Sequence, residues 1–131
     1  MGVVELARRA DVARGTAQAR LDKLRERGVV TGFGPTLDPS ALGFPILAFV
    51  HLEIVQGQLD DAVAGLARVP ELLEAHGTSG PRDLLCRVVA RDTEHLQDVL
   101  NRILDTASVR RTTTYLGLSS QIPYRTASLL R

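Results

Sequence analysis

The sequence predicts an α+β chain in two parts: a small helical head with a short hairpin, then a longer domain in β-α-β-β-α-β order. Three observations predict it. Apolar residues recur at helical spacing as far as Leu24, and the pattern stops at Gly28. From Pro45 onward, β-prone stretches alternate with helical ones. The charge divides along the same line. Residues 1–28 carry seven basic and four acidic groups, residues 38–105 five basic and eleven acidic, and residues 106–131 four basic and none acidic. The net charge of +1 over 131 residues hides this contrast, which makes the basic head the candidate for a polyanion.

Several classes are excluded or disfavoured at once. No apolar run reaches the ~18 residues of a membrane span, so no membrane partner is expected. The start, Met-Gly-Val-Val-Glu, lacks the basic and apolar pattern of a secretory signal. A lone cysteine, Cys86, cannot form an internal disulfide, and a reduced, cytoplasmic setting is the natural reading.

The head comes first. Val3, Leu6, Ala7 and Ala10 sit at i, i+3, i+4 and i+7 and predict a short helix over 3–10. A second helix is expected from Arg14 to Arg27, with Ala17, Leu21 and Leu24 on one side and Gly28 as its C-terminal cap. Two helices joined so tightly suggest a helix-turn-helix. Residues 29–37 place two β-prone stretches around a glycine-rich centre, which suits a hairpin, or wing. Residues 38–43 read as a connecting turn. The expected domains are therefore 1–38 and 39–131.

In the second domain, residues 45–55 predict a strand. Ile46, Ala48, Val50, Leu52 and Ile54 face one way, and Leu47, Phe49, His51, Glu53 and Val55 the other. A helix is expected over 59–69 with Leu59, Val63 and Leu66 inward. Strands are expected over 71–78 and 84–90. The clearest helix spans 93–105, with Leu96, Val99, Leu100, Ile103 and Leu104 inward and Thr93 as cap. Residues 109–118 read as a last strand and 119–131 as a tail. The order is ferredoxin-like. Two helices cover one face of such a sheet, while Leu47, Phe49, Leu85 and Val89 occupy the other. A second copy stacked on that face would cover it; a monomer with scattered apolar side chains is the alternative.

The Arg14–Arg27 helix suggests a task. Opposite its buried line stand Gly15, Thr16, Ala19, Asp22, Lys23 and Glu26, flanked by Arg14, Gln18 and Arg25 on one side and Arg20 and Arg27 on the other. Small residues let a helix approach a major-groove floor, polar ones reach base edges, and flanking cations meet phosphates. Arg14, Thr16, Gln18, Ala19, Arg20 and Lys23 are the candidate contacts to double-stranded DNA. The alternative is an ordinary solvated, arginine-rich helix face.

The pieces ELARRA, then T-x-x-x-R-L-x-x-L-x-x-x-G-V-V, then LDPSALG resemble the start of the Lrp/AsnC (feast/famine) transcriptional regulators. TSGPRDLLCRVVARD resembles that family's G-x-x-D loop and following strand, and VRRTTTYLGL its last strand. The resemblance implies a winged helix-turn-helix joined to a βαββαβ effector-binding domain. It implies a homodimer paired through the sheet domains, assembling further into an octamer, and an amino acid or similar small effector bound between dimers. On that basis Thr78, Ser79, Gly80, Arg82 and Asp83 are the candidate effector residues; a plain turn stabilised by Asp83 is the alternative. Against the family's pattern the head lacks a first helix before ELARRA, Asp11 replaces a usual glycine, and Ala13 a usual capping serine. The alternative function is an effector-sensing assembly protein with impaired or no DNA binding.

No enzyme is expected. His51, His76 and His95 show no metal-ligand spacing with each other or with Cys86, and read as packing or surface residues. Gly32-Phe33-Gly34 is followed by no Lys-Ser/Thr and is not a phosphate loop. No cofactor is expected beyond the amino-acid effector.

Overall fold

The computed structural model describes residues 14–32, 35–80, 82–106 and 108–130. The chain separates into two compact units, Met1–Thr36 with Ile122–Arg131, and Leu37–Gln121. The division differs from the expected 1–38 and 39–131 chiefly in the tail, which groups with the first unit.

In the first unit, α1 (Arg14–Glu26) is the helix expected from the leucine spacing. Ala17 and Leu21 are buried and Leu24 is half-buried, as the wheel requires. The helix stops at Gly28, whose φ of 78° costs a residue without Cβ little. Gly28 N–H donates to the Arg25 carbonyl at 3.0 Å and Val29 N–H to the Leu24 carbonyl at 2.7 Å, which is a Schellman closure. The helix expected over 3–10 lies outside the described residues, as does the hairpin's centre, residues 33–34. The described flanks of that hairpin, 29–32 and 35–37, carry no strand. Residues 127–129 form one 3-10 turn.

The second unit runs β1 (Ile46–Ile54), α2 (Leu59–Leu66), β2 (Leu72–Gly77), β3 (Asp83–Ala90), α3 (Thr93–Leu104), β4 (Val109–Gly117). The strands form one antiparallel sheet in the order β2-β3-β1-β4, with Val50 opposite Cys86 on β3 and Thr114 on β4. This is the expected ferredoxin-like arrangement. Alternation sends Ala48, Val50, Leu52 and Ile54 of β1, and Leu84, Cys86, Val88 and Ala90 of β3, into one core with Leu96, Val99 and Ile103 of α3. Burial of Cys86 pushes its thiol pKa up to about 11.

Three local expectations are corrected. Leu104, expected inward, is the last residue of α3 and is 43% exposed. The first helix of this unit ends at Leu66, and its buried residues are Ala62 and Leu66; Leu59 and Val63 are about half exposed. The helix turns the small Ala62, with Leu66, into the core rather than Leu59 and Val63. The cap of α3 is Asp92, whose carboxylate accepts from His95 N–H at 2.7 Å. Asp92 in extended conformation can reach the N3 amide, which satisfies a donor the helix leaves orphaned. His95 answers with Nδ1, which accepts from Arg91 N–H at 2.8 Å.

That acceptor role fixes the neutral imidazole hydrogen on Nε2, 2.9 Å from Glu71 Oε2. Arg102 Nη2 reaches the same oxygen at 2.7 Å. Burial pushes the Glu71 carboxyl up, but hydrogen bonds from Arg102, its own backbone and His95, with the Arg102 charge, outweigh it and hold it below its ordinary 4.5. This cluster, buried at His95 and open to water at Arg102, ties the start of β2 to α3.

Candidate functional sites: an exposed helix face and the Thr78–Asp83 loop

The first site is the outward side of α1. Thr16, Gln18, Ala19, Arg20 and Lys23 are all exposed, with Ala17 and Leu21 anchoring the helix behind them. Arg14 begins the helix. Asp22 shares the exposed side and accepts a hydrogen bond from the Gln18 amide nitrogen at 3.1 Å. Within reach of a polyanion, this face offers cations at its rim and an alanine at its centre.

The second site is the loop joining β2 to β3. Thr78 N–H donates to the Asp83 carbonyl at 3.2 Å, and Asp83 N–H to the Gly80 carbonyl at 3.4 Å. Ile54 N–H donates to the Arg82 carbonyl at 2.8 Å, which pins the loop to the end of β1. The Asp83 side chain folds back over Gly80. A Cβ on Gly80 would collide with that carboxylate, whose Cγ would lie only 2.8 Å away. Glycine lets the carboxylate lie this close; a Cβ here would push the Asp83 side chain aside. Thr78, Ser79 and Arg82 are exposed and Asp83 is half-buried; Pro81 lies outside the described residues.

The structure adds to this loop His51, expected from the sequence to be only a packing or surface residue. His51 Nε2 stands 3.4 Å from Asp83 Oδ2. The strand register, which no local pattern in the sequence encodes, brings the two together. β1 and β3 pair antiparallel with Glu53 opposite Asp83 and His51 opposite Leu85, so His51 and Asp83 are diagonal neighbours on one face. That face also carries Glu74, whose carboxyl is held below its ordinary value by hydrogen bonds from His76 and then Arg87. The Arg87 guanidinium lies 5.5 Å from the Phe49 ring centroid. The apolar patch is therefore smaller than alternation suggests. Leu47 and Phe49 are half-buried, Leu85 is exposed, but Val89 is buried. Among the described residues no cluster of His, Cys, Asp or Glu could hold a metal ion.

The family described as the Lrp/AsnC ligand binding domain matches residues 47–126. The chain belongs to the Lrp/AsnC family of transcriptional regulators. It is 31% identical to the HTH-type transcriptional regulator FL11 of Pyrococcus horikoshii, over 88% of this chain and 77% of that protein. The structure of Escherichia coli AsnC superposes with a TM-score of 0.77 at 26% identity, covering 95% of this chain and 85% of that one. A feast or famine regulatory protein of Mycobacterium tuberculosis, Rv3291c, solved with L-methionine, superposes at 0.76 with 32% identity over the same shares. Like its Lrp/AsnC relatives, the chain is a regulator rather than an enzyme. No helix among the described residues is long and apolar enough to cross a membrane.

Proposed function

We propose that this regulator binds double-stranded DNA sequence-specifically through α1 and responds to an amino acid or similar small effector at the Thr78–Asp83 loop. The observation that carries the reading is the two-sidedness of α1. Ala17 and Leu21 are buried, while Thr16, Gln18, Ala19, Arg20 and Lys23 stand in solvent on the other side. Arg14, Arg20 and Lys23 supply phosphate contacts; Thr16 and Gln18 supply most of the base choice, and Ala19 gives room.

At the loop, Asp83 suits an ammonium and Arg82 a carboxylate, with Gly80 allowing close backbone approach and Thr78 and Ser79 beside them. His51 orients the Asp83 carboxylate. The solved M. tuberculosis relative holding L-methionine supports this ligand class. The outer sheet face, with Leu47, Phe49 and Leu85, is the surface for a homodimer, and dimers assemble further, up to an octamer, with the effector between them.

The test is fluorescence anisotropy of a labelled duplex from the chain's own upstream region, titrated with and without each of the twenty amino acids. Saturable binding shifted by one amino acid is the expected result. Binding equal to that of unrelated duplexes, and indifferent to all twenty, would contradict the reading.

A further inference from the structure

Asp22 sits on the exposed side of α1, where a surface that meets phosphates gains nothing from negative charge. Gln18 accounts for its place. Its amide nitrogen donates to Asp22 Oδ1 at 3.1 Å, one turn along the helix. At ~100° per residue, Gln18 lies roughly a quarter turn from the buried Ala17–Leu21 line, and Asp22 lies farther round. The bond therefore draws the amide from the flank of the helix toward its outward side.

The same bond decides which way round the amide sits, with nitrogen toward Asp22 and Oε1 away. One N–H of the amide is used. Among the described residues no hydrogen bond uses the other N–H or Oε1, a donor and an acceptor side by side in one plane. Adenine presents the complementary pair in the major groove, the N7 acceptor and the N6 amino donor. Guanine offers two acceptors there, and thymine an acceptor beside a methyl group.

We propose that Gln18 reads an adenine and that Asp22 is the positioning residue that holds it ready to do so. This rests on the DNA-reading function of α1 proposed above and names the base it selects. Gln18 lies in the N-terminal part of the helix, the part that reaches base edges when a recognition helix enters the groove. Asp22 acts through Gln18, and its carboxylate costs some affinity for phosphate in exchange for base choice.

The experiment is selection of bound sequences from randomised duplexes by the full chain and by Gln18→Ala, Asp22→Ala and Asp22→Asn. The wild-type chain is expected to enrich a motif with one fixed adenine per half-site. A good bidentate contact discriminates by about 1–3 kcal/mol, roughly 5- to 150-fold. Gln18→Ala abolishes the preference at that position and leaves the other positions of the motif. Asp22→Ala weakens it while helix content by circular dichroism stays the same. Asp22→Asn, which keeps an oxygen acceptor without the charge, restores it. A general loss of helix structure would not separate Asn from Ala in this way.

Three outcomes overturn the proposal: a motif unchanged in Gln18→Ala, a preference unchanged in Asp22→Ala, or equal loss in Asp22→Ala and Asp22→Asn. A wild-type chain that enriches no motif defeats the DNA-reading function itself, and the proposal with it. That outcome is distinct from a motif that is present but indifferent to Gln18.

Discussion

Replacing Glu71 by alanine should destabilise the sheet unit by about 1–3 kcal/mol at neutral pH. Glu71 Oε2 accepts from His95 Nε2 at 2.9 Å and Arg102 Nη2 at 2.7 Å, and His95 is 7% exposed. Removing the carboxylate strands the buried imidazole N–H, which costs about 1–3 kcal/mol. Arg102, nearly half exposed, turns to water and adds little. Glu71 Oε1 is buried with no hydrogen-bond partner among the described residues, and its removal offsets part of the loss. In a domain of this size each kcal/mol moves Tm by about 4–8 °C. The assay is thermal unfolding by circular dichroism from pH 7 down to pH 3, with Glu71→Gln beside Glu71→Ala. The Glu71 pKa is lowered on folding, so its ionic contribution is fully present above the ordinary value of 4.5. It is lost as pH falls below that value through the folded one. The gap between wild type and Glu71→Gln should therefore close under acid. A Tm unchanged in Glu71→Ala, or a gap that widens on acidification, would refute the reasoning.

Other outcomes follow from single positions. Ile103→Ala empties a fully buried site on α3 and should cost about 2–5 kcal/mol by urea unfolding; a loss under 1 would mean the core is packed elsewhere. Cys86, with its thiol raised to about 11, should react with Ellman's reagent at least roughly 100-fold more slowly in the native chain than in the unfolded one. Equal rates would place it at the surface. Gly80→Ala should leave Tm nearly unchanged, because the group it displaces is the movable end of Asp83. It should weaken the amino acid found by anisotropy at least about tenfold by calorimetry, the loss of one charge-assisted contact. Undiminished affinity would remove Asp83 from the effector site.

What was legible in the sequence tracks what is local. The face of α1 and its stop at Gly28 follow from leucine spacing and from a single glycine in the left-handed region. The two faces of β1 follow from alternation. The face of α2 differs from expectation because volume suggests Leu59 and Val63, whereas the small Ala62 is the residue buried beside Leu66. The cap of α3 slipped by one residue because Asp92 and Thr93 are both competent caps. The contacts of His51 with Asp83 and of Glu71 with His95 and Arg102 depend on pairing distant segments, which no local pattern encodes. The candidate effector residues came from the family resemblance. The packing of Asp83 on Gly80 supplies a physical reason for glycine there.

The most direct measurement is the salt dependence of DNA binding by the wild-type chain and by Arg20→Ala/Lys23→Ala. Each phosphate contact contributes about 0.9 to the slope of log K against log salt. The double variant should bind more weakly and lose about 1.8 from that slope for each copy of α1 on the duplex, about 3.6 for a homodimer. Equal affinity with an equal slope would mean that the exposed side of α1 does not meet the duplex.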